Sequence, residues 1–319
     1  MLVAETKAGI KVYADKCKGK VEAICPSCKA PVRLKHGKIK IPHFAHVAYT
    51  GCAYFSEGET LEHLMNKQML LTWSGSGQLE AYLPELQQRP DLLINRVAVE
   101  IQCSPLSLTR LIERTKNYQN HHYQPWWLVG QKLTPRKRWS HLQKAFSYYD
   151  FKKGCHLWVI ANQQKEIQLF YHIRWHFQLG YFFQKKRWRF MESPLAQVFL
   201  FEPDRSDYHW EVSAYRYTIQ KKLFQGNEKI QEIQEQIYRL KGNIQTLPEW
   251  CYSASEFFFY FEDLLLFLRY CVTVSANFHQ WLDRIKSIDF SWYFPLVSQK
   301  EILRAVYDES CFLQESSNF

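Results

Sequence analysis

The sequence has few of the features that mark disordered, secreted or membrane-spanning chains. Glycine and proline number 12 each among 319 residues, too few for a disordered or fibrous protein. No uncharged apolar run of about 18 residues occurs, and the N-terminus lacks the apolar stretch of a signal peptide. Since 46% of the residues are hydrophobic, these absences predict a folded protein of two or three domains in the cytoplasm, with no membrane partner.

Closely spaced cysteines are also scarce, because only Cys25 and Cys28 form a tight pair among the nine. In a reducing compartment such a pair is more typical of a metal site than of a disulfide. Three residues follow at distances that would complete a tetrahedral site, and any two of them would serve: His43, His46 and Cys52. We therefore expect a zinc-ribbon-like module over residues 1–56, with the metal in a structural role because so small a segment needs it to fold.

The excess of positive charge is confined to one stretch. Residues 131–190 hold 13 Lys and Arg but 2 Asp and Glu, which leaves 28 basic and 29 acidic residues in the rest of the chain. Here cations alternate with aromatic rings, which can stack on unpaired bases while the cations meet phosphates. The expected single-stranded DNA track contains Arg136, Lys137, Arg138, Lys185, Lys186, Arg187 and Arg189. The alternative is an ordinary half-buried strand whose cations face solvent.

The apolar pattern between residues 57 and 130 predicts a helix, three strands, a second helix and a fourth strand. Pro105 would open the second helix with Ser104 as its N-cap. The expected elements are helix 59–73, strands 78–86, 88–96 and 97–104, helix 105–122 and strand 124–130.

The remaining chain divides into two further regions. Residues 131–225 form a basic, aromatic-rich extension in which strands are expected, and residues 226–319 are expected to be helical. The aromatic run at 257–261 is typical of a buried helical core, although it could instead cover an interface.

Two carboxylates lie on neighbouring predicted strands. Asp91 precedes the tight turn at residues 95–96 and Glu100 follows it, while Gln102 faces the same way as Glu100 because strand side chains repeat every second residue. Converging carboxylates are the ligands that Mg²⁺ or Mn²⁺ prefers, and such an ion can activate water against a phosphodiester. A plainer interpretation makes Asp91 a turn residue and Glu100 a solvated strand residue.

These segments resemble the nuclease region of the CoiA family of competence proteins. The resemblance rests on ETLEHLMNK, RPDLLINRVAVEIQCSPLS and RTKNYQNHHY…WLVG, and the N-terminal CPSC…HFAH…C also resembles that family. It implies an α/β (α+β) protein with a restriction-endonuclease-like α-β-β-β-α-β core, of which the D…ExQ motif is a PD-(D/E)xK variant. Asp91 and Glu100 would then bind Mg²⁺ or Mn²⁺, and Gln102 would stand where most relatives place a lysine.

The first helix offers two more residues for such a site. Glu62 lies where this fold often supplies another acidic ligand, and Lys67 is close enough in sequence to act as a migrated cation. On the second helix, Arg114 is a candidate phosphate contact. For all three, the alternative is a solvated helix face.

The resemblance implies a nuclease that acts on DNA during natural transformation and recombination, with the RecA recombinase and its loader as partners. Because glutamine can only hydrogen-bond, whereas lysine can orient water and stabilise charge, a second hypothesis is a weakly active or inactive DNA-binding accessory protein. A third is a protein directed at RNA.

Overall fold

The computed structural model describes residues 1–37, 41–48, 52, 60–136, 138–204, 209–286, 288 and 291–317. The chain divides into two compact units. The first unit contains Met1–Thr134, Leu157–Leu169 and Lys185–Phe201, and the second contains Pro135–His156, Phe170–Gln184 and Glu202–Phe319.

The N-terminal part of the first unit is a five-stranded antiparallel sheet with the strand order β2-β1-β3-β4-β5. Its strands are β1 (Val3–Glu5), β2 (Lys11–Tyr13), β3 (Ala23–Ile24), β4 (Pro31–Lys35) and β5 (His43–His46). Ala4, Val32 and Phe44 are buried in its small core. This small sheet is consistent with the zinc-ribbon-like module that the sequence predicts for residues 1–56.

A second sheet follows, and its first elements reproduce the predicted order of helix, three strands, helix and strand. They are α1 (Leu61–Ser74), β6 (Gln78–Leu79), β7 (Leu92–Ile94), β8 (Val97–Gln102), α2 (Leu108–Asn120) and β9 (Gln124–Val129). β7 and β8 are antiparallel, whereas β8 and β9 are parallel. The predicted mixed α/β fold class is confirmed.

Two local predictions are wrong. The strand expected over 78–86 ends at Leu79, because Glu80 has a φ of 49°, which a strand does not accommodate. Ser104 does not cap the second helix; Ser107 does, accepting from the Arg110 backbone N–H at 3.3 Å. The carbonyl oxygen of Ser104 instead accepts from the side-chain amide of Gln102 at 2.8 Å.

Helices α1 and α2 pack on opposite faces of this sheet. Trp126 of β9 lines a cavity of about 490 Å³ together with Trp73 of α1. The next residue, Trp127, donates to the hydroxyl of Thr115 in α2 at 3.1 Å. Because successive strand residues point to opposite faces, the two tryptophans mark the α1 face and the α2 face.

The predicted strands after residue 150 are present and extend the second sheet, whose order is β13-β12-β11-β9-β8-β7-β6 with β10 beside β11. The elements are α3 (His141–Ala145), β10 (Tyr148–Asp150), β11 (Gly154–Ala161), β12 (Glu166–His176), β13 (Gly180–Arg189) and α4 (Leu195–Phe199). Within the first unit, β11 runs parallel to β9, with Val159 beside Val129. β13 lies at the edge of the sheet.

The C-terminal part of the second unit is helical, as predicted. Its helices are α5 (Val212–Phe224), α6 (Glu228–Arg239), α7 (Phe258–Phe261), α8 (Leu265–Thr273), α9 (Phe278–Ile285) and α10 (Gln299–Ser316). Phe258 and Phe259 are fully buried, so the aromatic run does form core. Arg269 is also fully buried and donates to two backbone carbonyls and to Glu309. Over the described ranges, no helix combines the length and apolar character needed to cross a bilayer.

Candidate functional site

Four side chains of the N-terminal sheet bring their ligand atoms together. Cys25, Cys28, His46 and Cys52 place one sulfur or nitrogen atom each within 4.8 Å of all the others. The Sγ of Cys28 and the Nε2 of His46 are 3.2 Å apart. A backbone turn holds the first pair, since the Lys29 N–H donates to the Cys25 carbonyl at 3.0 Å. Burial raises the pKa of the Cys25 thiol, so its thiolate needs a nearby cation.

The sequence leaves open which two of His43, His46 and Cys52 complete the metal site, and the structure places two of them in the cluster. His46 and Cys52 belong to it, whereas the Nδ1 of His43 lies 2.9 Å from the carbonyl oxygen of Ile41. Three sulfurs and one imidazole in a closed group are a donor set that suits zinc in a structural role. The cluster could therefore bind a structural metal such as zinc.

Asp91 lies directly before β7, and the β7–β8 register continued by one residue places it opposite Glu100. Its carboxylate is 2.9 Å from the His63 Nε2 and 2.9 Å from the Lys67 Nζ, both on α1. It also accepts from the Ile101 backbone N–H at 2.8 Å. Although burial acts to raise it, the pKa of Asp91 is held well below its usual value by His63 and Lys67.

Glu100 is 1% exposed and takes its partners from α2. Arg114 and the hydroxyl of Tyr118 both donate to its Oε1. Burial and, to a smaller extent, the nearby charge of Asp91 raise the pKa of Glu100 to about 7, although the charge of Arg114 acts to lower it. The two carboxylates thus stand opposite each other and interact electrostatically, but their side-chain partners come from helices on opposite faces of the sheet.

The remaining predicted catalytic residues make separate contacts. Gln102 is buried on the same side of β8 as Glu100, and its amide donates to the carbonyl of Ser104 at 2.8 Å. Glu62 accepts from the Gln131 backbone N–H at 2.8 Å. In the described part of the chain, Glu62, Asp91 and Glu100 do not form a group of three with ligand atoms within 4.8 Å of one another. Lys67, by contrast, lies in the site beside Asp91, as described above.

The sequence interpretation missed Glu80, which is 2% exposed and lies at the centre of this region. Its Oε1 is 2.8 Å from the Lys67 Nζ, and its Oε2 is 3.5 Å from Arg89. Lys67 therefore bridges Glu80 and Asp91. The available signal was the first of two glutamates in the largely apolar segment QLEAYLPEL, together with the lysine on the preceding helix.

Comparisons with known proteins agree with this architecture. A family model described as "Competence protein CoiA, nuclease-like domain" matches residues 59–203, and one described as "Competence protein CoiA, N-terminal domain" matches residues 11–55. The chain belongs to the CoiA family.

A curated relative, "Competence protein CoiA" of Bacillus subtilis (strain 168), is 31% identical over 135 residues. The match covers 40% of this chain and 36% of the relative, so the chain spans about a third of that CoiA protein's length. No solved structure matches the chain. The CoiA nuclease-like match begins just before α1 and continues through α4, so β11, β12 and β13 lie within it.

The cations predicted to meet nucleic acid fall into two groups in this CoiA-family chain. Arg114 is paired with Glu100, which raises its pKa although burial acts to lower it. Arg136 and Arg138 are exposed in the second unit, while Lys137 lies outside the described residues. The exposed cations on edge strand β13 are Lys185, Lys186, Arg187 and Arg189.

Aromatic rings do accompany the β13 cations. The Lys186 Nζ lies 5.8 Å from the ring centre of Trp188 and 5.9 Å from that of Phe201. Lys185 and Arg187 alternate with Lys186 along the strand and hence share its other face. The edge therefore presents a run of positive charge, whereas Trp188 is 6% exposed and Phe201 is half-buried.

Proposed function

We propose that this chain is a metal-dependent deoxyribonuclease that acts in the cytoplasm on DNA taken up during natural transformation. The observation that supports this most is the electrostatic interaction between the Asp91 and Glu100 carboxylates, with the Lys67 Nζ 2.9 Å from Asp91. Membership of a family with a nuclease-like domain supports the same reaction class. The proposed substrate is DNA, with single strands preferred, because exposed cations line edge strand β13 and the half-buried ring of Phe201 lies 5.9 Å from the Lys186 Nζ.

Asp91 and Glu100 would hold the Mg²⁺ or Mn²⁺, since paired carboxylates are the ligands that these ions prefer. When bound, the ion would polarise the phosphodiester and lower the pKa of the attacking water. His63 and the Ile101 N–H orient the Asp91 carboxylate. Lys67 supplies the positive charge that Gln102 cannot supply, and it reaches the site from α1 rather than from β8.

A second function is favoured by the contacts of Glu100. Arg114 and Tyr118 already donate to its Oε1, and Glu62 accepts from a backbone N–H instead of approaching the pair. A cation entering the site would compete with the arginine for the same carboxylate. These contacts suit a DNA-binding recombination accessory protein that keeps the nuclease fold with little turnover.

One assay separates the two functions. Labelled single-stranded and double-stranded DNA are incubated with the protein and Mn²⁺ or Mg²⁺, beside an Asp91→Asn/Glu100→Gln variant that preserves side-chain shape. Glu113→Gln is the matched control, because that glutamate is an exposed residue of α2. Cleavage that the double variant loses and the control keeps supports the nuclease. Binding without cleavage by the unmodified protein overturns the nuclease and supports the accessory role.

Two further arms address the partners. Competition with RNA in the same assay tests an RNA-directed role, which tighter binding to RNA than to DNA would support. Because DNA taken up during natural transformation would be used in recombination, the RecA recombinase and its loader are the proposed protein partners. Co-sedimentation with the purified recombinase, with and without single-stranded DNA, tests that contact, and recovery equal to that of an unrelated basic protein contradicts it.

A further inference from the structure

Glu80 accepts from donors that belong to two different parts of the first unit. The backbone N–H of Leu2 donates to its Oε1 at 3.0 Å, and the N–H of Val3 to its Oε2 at 3.2 Å. Lys67 and Arg89 approach the same two oxygens from the nuclease-like region. A single buried carboxylate therefore joins the first strand of the N-terminal sheet to the lysine beside Asp91.

The local backbone is strained to make this arrangement. The backbone of Glu80 has a φ of 49°, in the left-handed region that residues other than glycine rarely adopt. A buried carboxylate in a strained backbone conformation persists when its surroundings require it, and such residues concentrate at functional sites. Here the turn ends β6 and also lets the Glu80 N–H donate to the Asp91 carbonyl at 3.1 Å.

The other end of this connection reaches the Cys/His cluster. The ammonium group of Met1 donates to the Phe44 carbonyl at 3.2 Å, and the Phe44 N–H donates back to the Met1 carbonyl at 2.8 Å. Phe44 lies in β5, which ends at the cluster residue His46. A continuous path therefore leads from His46 through Met1, Leu2 and Val3 to Glu80.

We propose that Glu80 is a positioning residue which couples metal occupancy of the Cys25, Cys28, His46 and Cys52 cluster to the placement of Lys67 and Asp91. A bound metal fixes β5, β5 fixes Met1, and the next two N–H groups hold Glu80 where it can bind Lys67. The significance for catalysis rests on the proposed nuclease function, whereas the coupling itself does not.

The substitution Glu80→Gln tests this inference, because the Leu2 and Val3 N–H groups, Lys67 and Arg89 are all donors to the Glu80 carboxylate. An amide NH₂ would face a donor, so the glutamine cannot replace the carboxylate. Glu85→Gln is the matched control, since Glu85 is exposed and its contact is with Tyr123. Both variants are made in the full chain with zinc bound, and circular dichroism checks that each is folded.

Two readouts follow, and neither uses DNA. Zinc affinity is measured by competition with a chelator, and Lys67 exposure by the rate of labelling with an amine-reactive reagent, read by mass spectrometry. Because the proposed path joins the cluster to Lys67, Glu80→Gln should weaken zinc binding about tenfold, and zinc removal from the unmodified protein should speed Lys67 labelling about tenfold. Glu85→Gln should change neither.

A different pattern would overturn the coupling. If the Glu80→Gln variant is labelled faster at Lys67 but binds zinc with unchanged affinity, Glu80 affects Lys67 alone and is not coupled to the cluster. If Glu80→Gln does not fold, zinc removal from the unmodified protein still decides, because unchanged Lys67 labelling contradicts the proposal. A protein without nuclease activity would sink the proposed function and leave these measurements unaffected.

Discussion

The Cys/His cluster and the carboxylate site gather ligand atoms in different ways. In the cluster, three sulfurs and one imidazole nitrogen lie within 4.8 Å of one another, so electron-rich atoms face electron-rich atoms. At the carboxylate site, Asp91 lies beside Lys67 and His63, and Glu100 beside Arg114 and Tyr118. The cluster is arranged around a place for a cation, whereas the carboxylates already have cations from the protein.

A group of potential ligands is a metal site only where an ion stabilises it better than the protein's own charged groups do. Soft donors that converge at a structural zinc site gain most of their stability from the bound ion. Buried carboxylates can instead be stabilised by lysine and arginine, and an added ion must then displace these groups or share the carboxylate with them. Removing zinc should therefore destabilise the cluster strongly, whereas removing a divalent ion from Asp91 and Glu100 should destabilise the carboxylate site only weakly.

The largest expected effect comes from breaking the cluster. Cys52→Ala removes one of its four ligands, and metal binding at structural zinc sites contributes about 10 kcal/mol to folding. We expect this variant to lose its zinc and the strands β1–β5 to exchange amide hydrogens freely. Metal content and hydrogen exchange measured by mass spectrometry check both expectations.

Two neighbours serve as controls for this variant. His43→Ala should keep the metal, because the His43 ring contacts the Ile41 carbonyl rather than the cluster. Cys17→Ala should keep it too, since Cys17 only packs against the core of this sheet. Zinc lost in His43→Ala but retained in Cys52→Ala would show that the ligands are wrongly assigned.

A smaller but substantial effect is expected at the carboxylate site, and it needs no metal. Glu100→Ala leaves Arg114 and Tyr118 without their buried acceptor, and breaking a buried ion pair from one side costs about 3–5 kcal/mol. Glu100→Gln should cost less, because its carbonyl oxygen can still accept. The difference in unfolding free energy between the two variants is measured by urea unfolding, with hydrogen exchange at α2 as the probe.

This expectation also bears on how a nuclease assay should be interpreted. An alanine variant that loses cleavage could have lost α2 packing instead of a metal ligand, so the glutamine variant is the informative one. Glu113→Ala, on the exposed side of the same helix, should change stability by less than about 0.5 kcal/mol. Equal stability of Glu100→Ala and Glu113→Ala would contradict the ion pair's structural role.

Much of this comparison could be predicted from local sequence. The CxxC spacing identifies the first half of the cluster, and the short turn after Ile94 sets the β7–β8 register that places Asp91 opposite Glu100. Both features depend on residues close together in the chain, where spacing determines geometry. For the same reason, the helix and strand order of the nuclease-like region could be predicted.

Contacts between distant residues could not be predicted. His43 and His46 both have suitable spacing for zinc, and the strand pairing that directs His46 to the cluster becomes apparent only in the fold. Glu80 is held by Leu2 and Val3, which are 78 and 77 residues away. Its left-handed backbone also interrupts a segment whose alternation predicts a strand, because tertiary contacts outweigh strand propensity there.

His156 is a buried polar side chain that is stabilised in its neutral form, and its expected effect on stability is intermediate. His156, in the second unit, remains neutral: burial lowers its pKa to about 4, although the Gly154 carbonyl and Asp150 act to raise it. The unfolded chain takes up a proton near pH 6.5 while the folded one does not, so stability should fall as pH decreases from about 6.5 towards 4 and then level off.

Between pH 7 and pH 5 the loss attributable to His156 should be about 2 kcal/mol. Urea unfolding of the second unit at several pH values measures it, with His156→Gln as the variant that lacks the titrating group. If the unmodified protein and the variant lose stability equally over this range, His156 does not hold its neutral form in the way described.

Replacing the cations that face solvent should change stability least, but it should weaken DNA binding. Lys185, Arg187 and Arg189 are exposed on β13, in contrast to Arg114, which Glu100 holds. Partial burial, followed by the charge of Arg187, lowers the pKa of Lys185. A phosphate between these like charges would relieve their repulsion. Replacing each by glutamine should change stability by less than about 0.5 kcal/mol.

The same substitutions should instead weaken the binding of single-stranded DNA. Each lost phosphate contact should reduce the slope of log affinity against log salt by about 0.7, so the triple variant should lose about 2. Fluorescence anisotropy with an oligothymidylate across a salt series measures the slope, and Lys221→Gln, an exposed lysine of α5, is the control. An unchanged slope in the triple variant would mean that DNA does not run along β13, and the exposed cations would then be an ordinary solvated strand face.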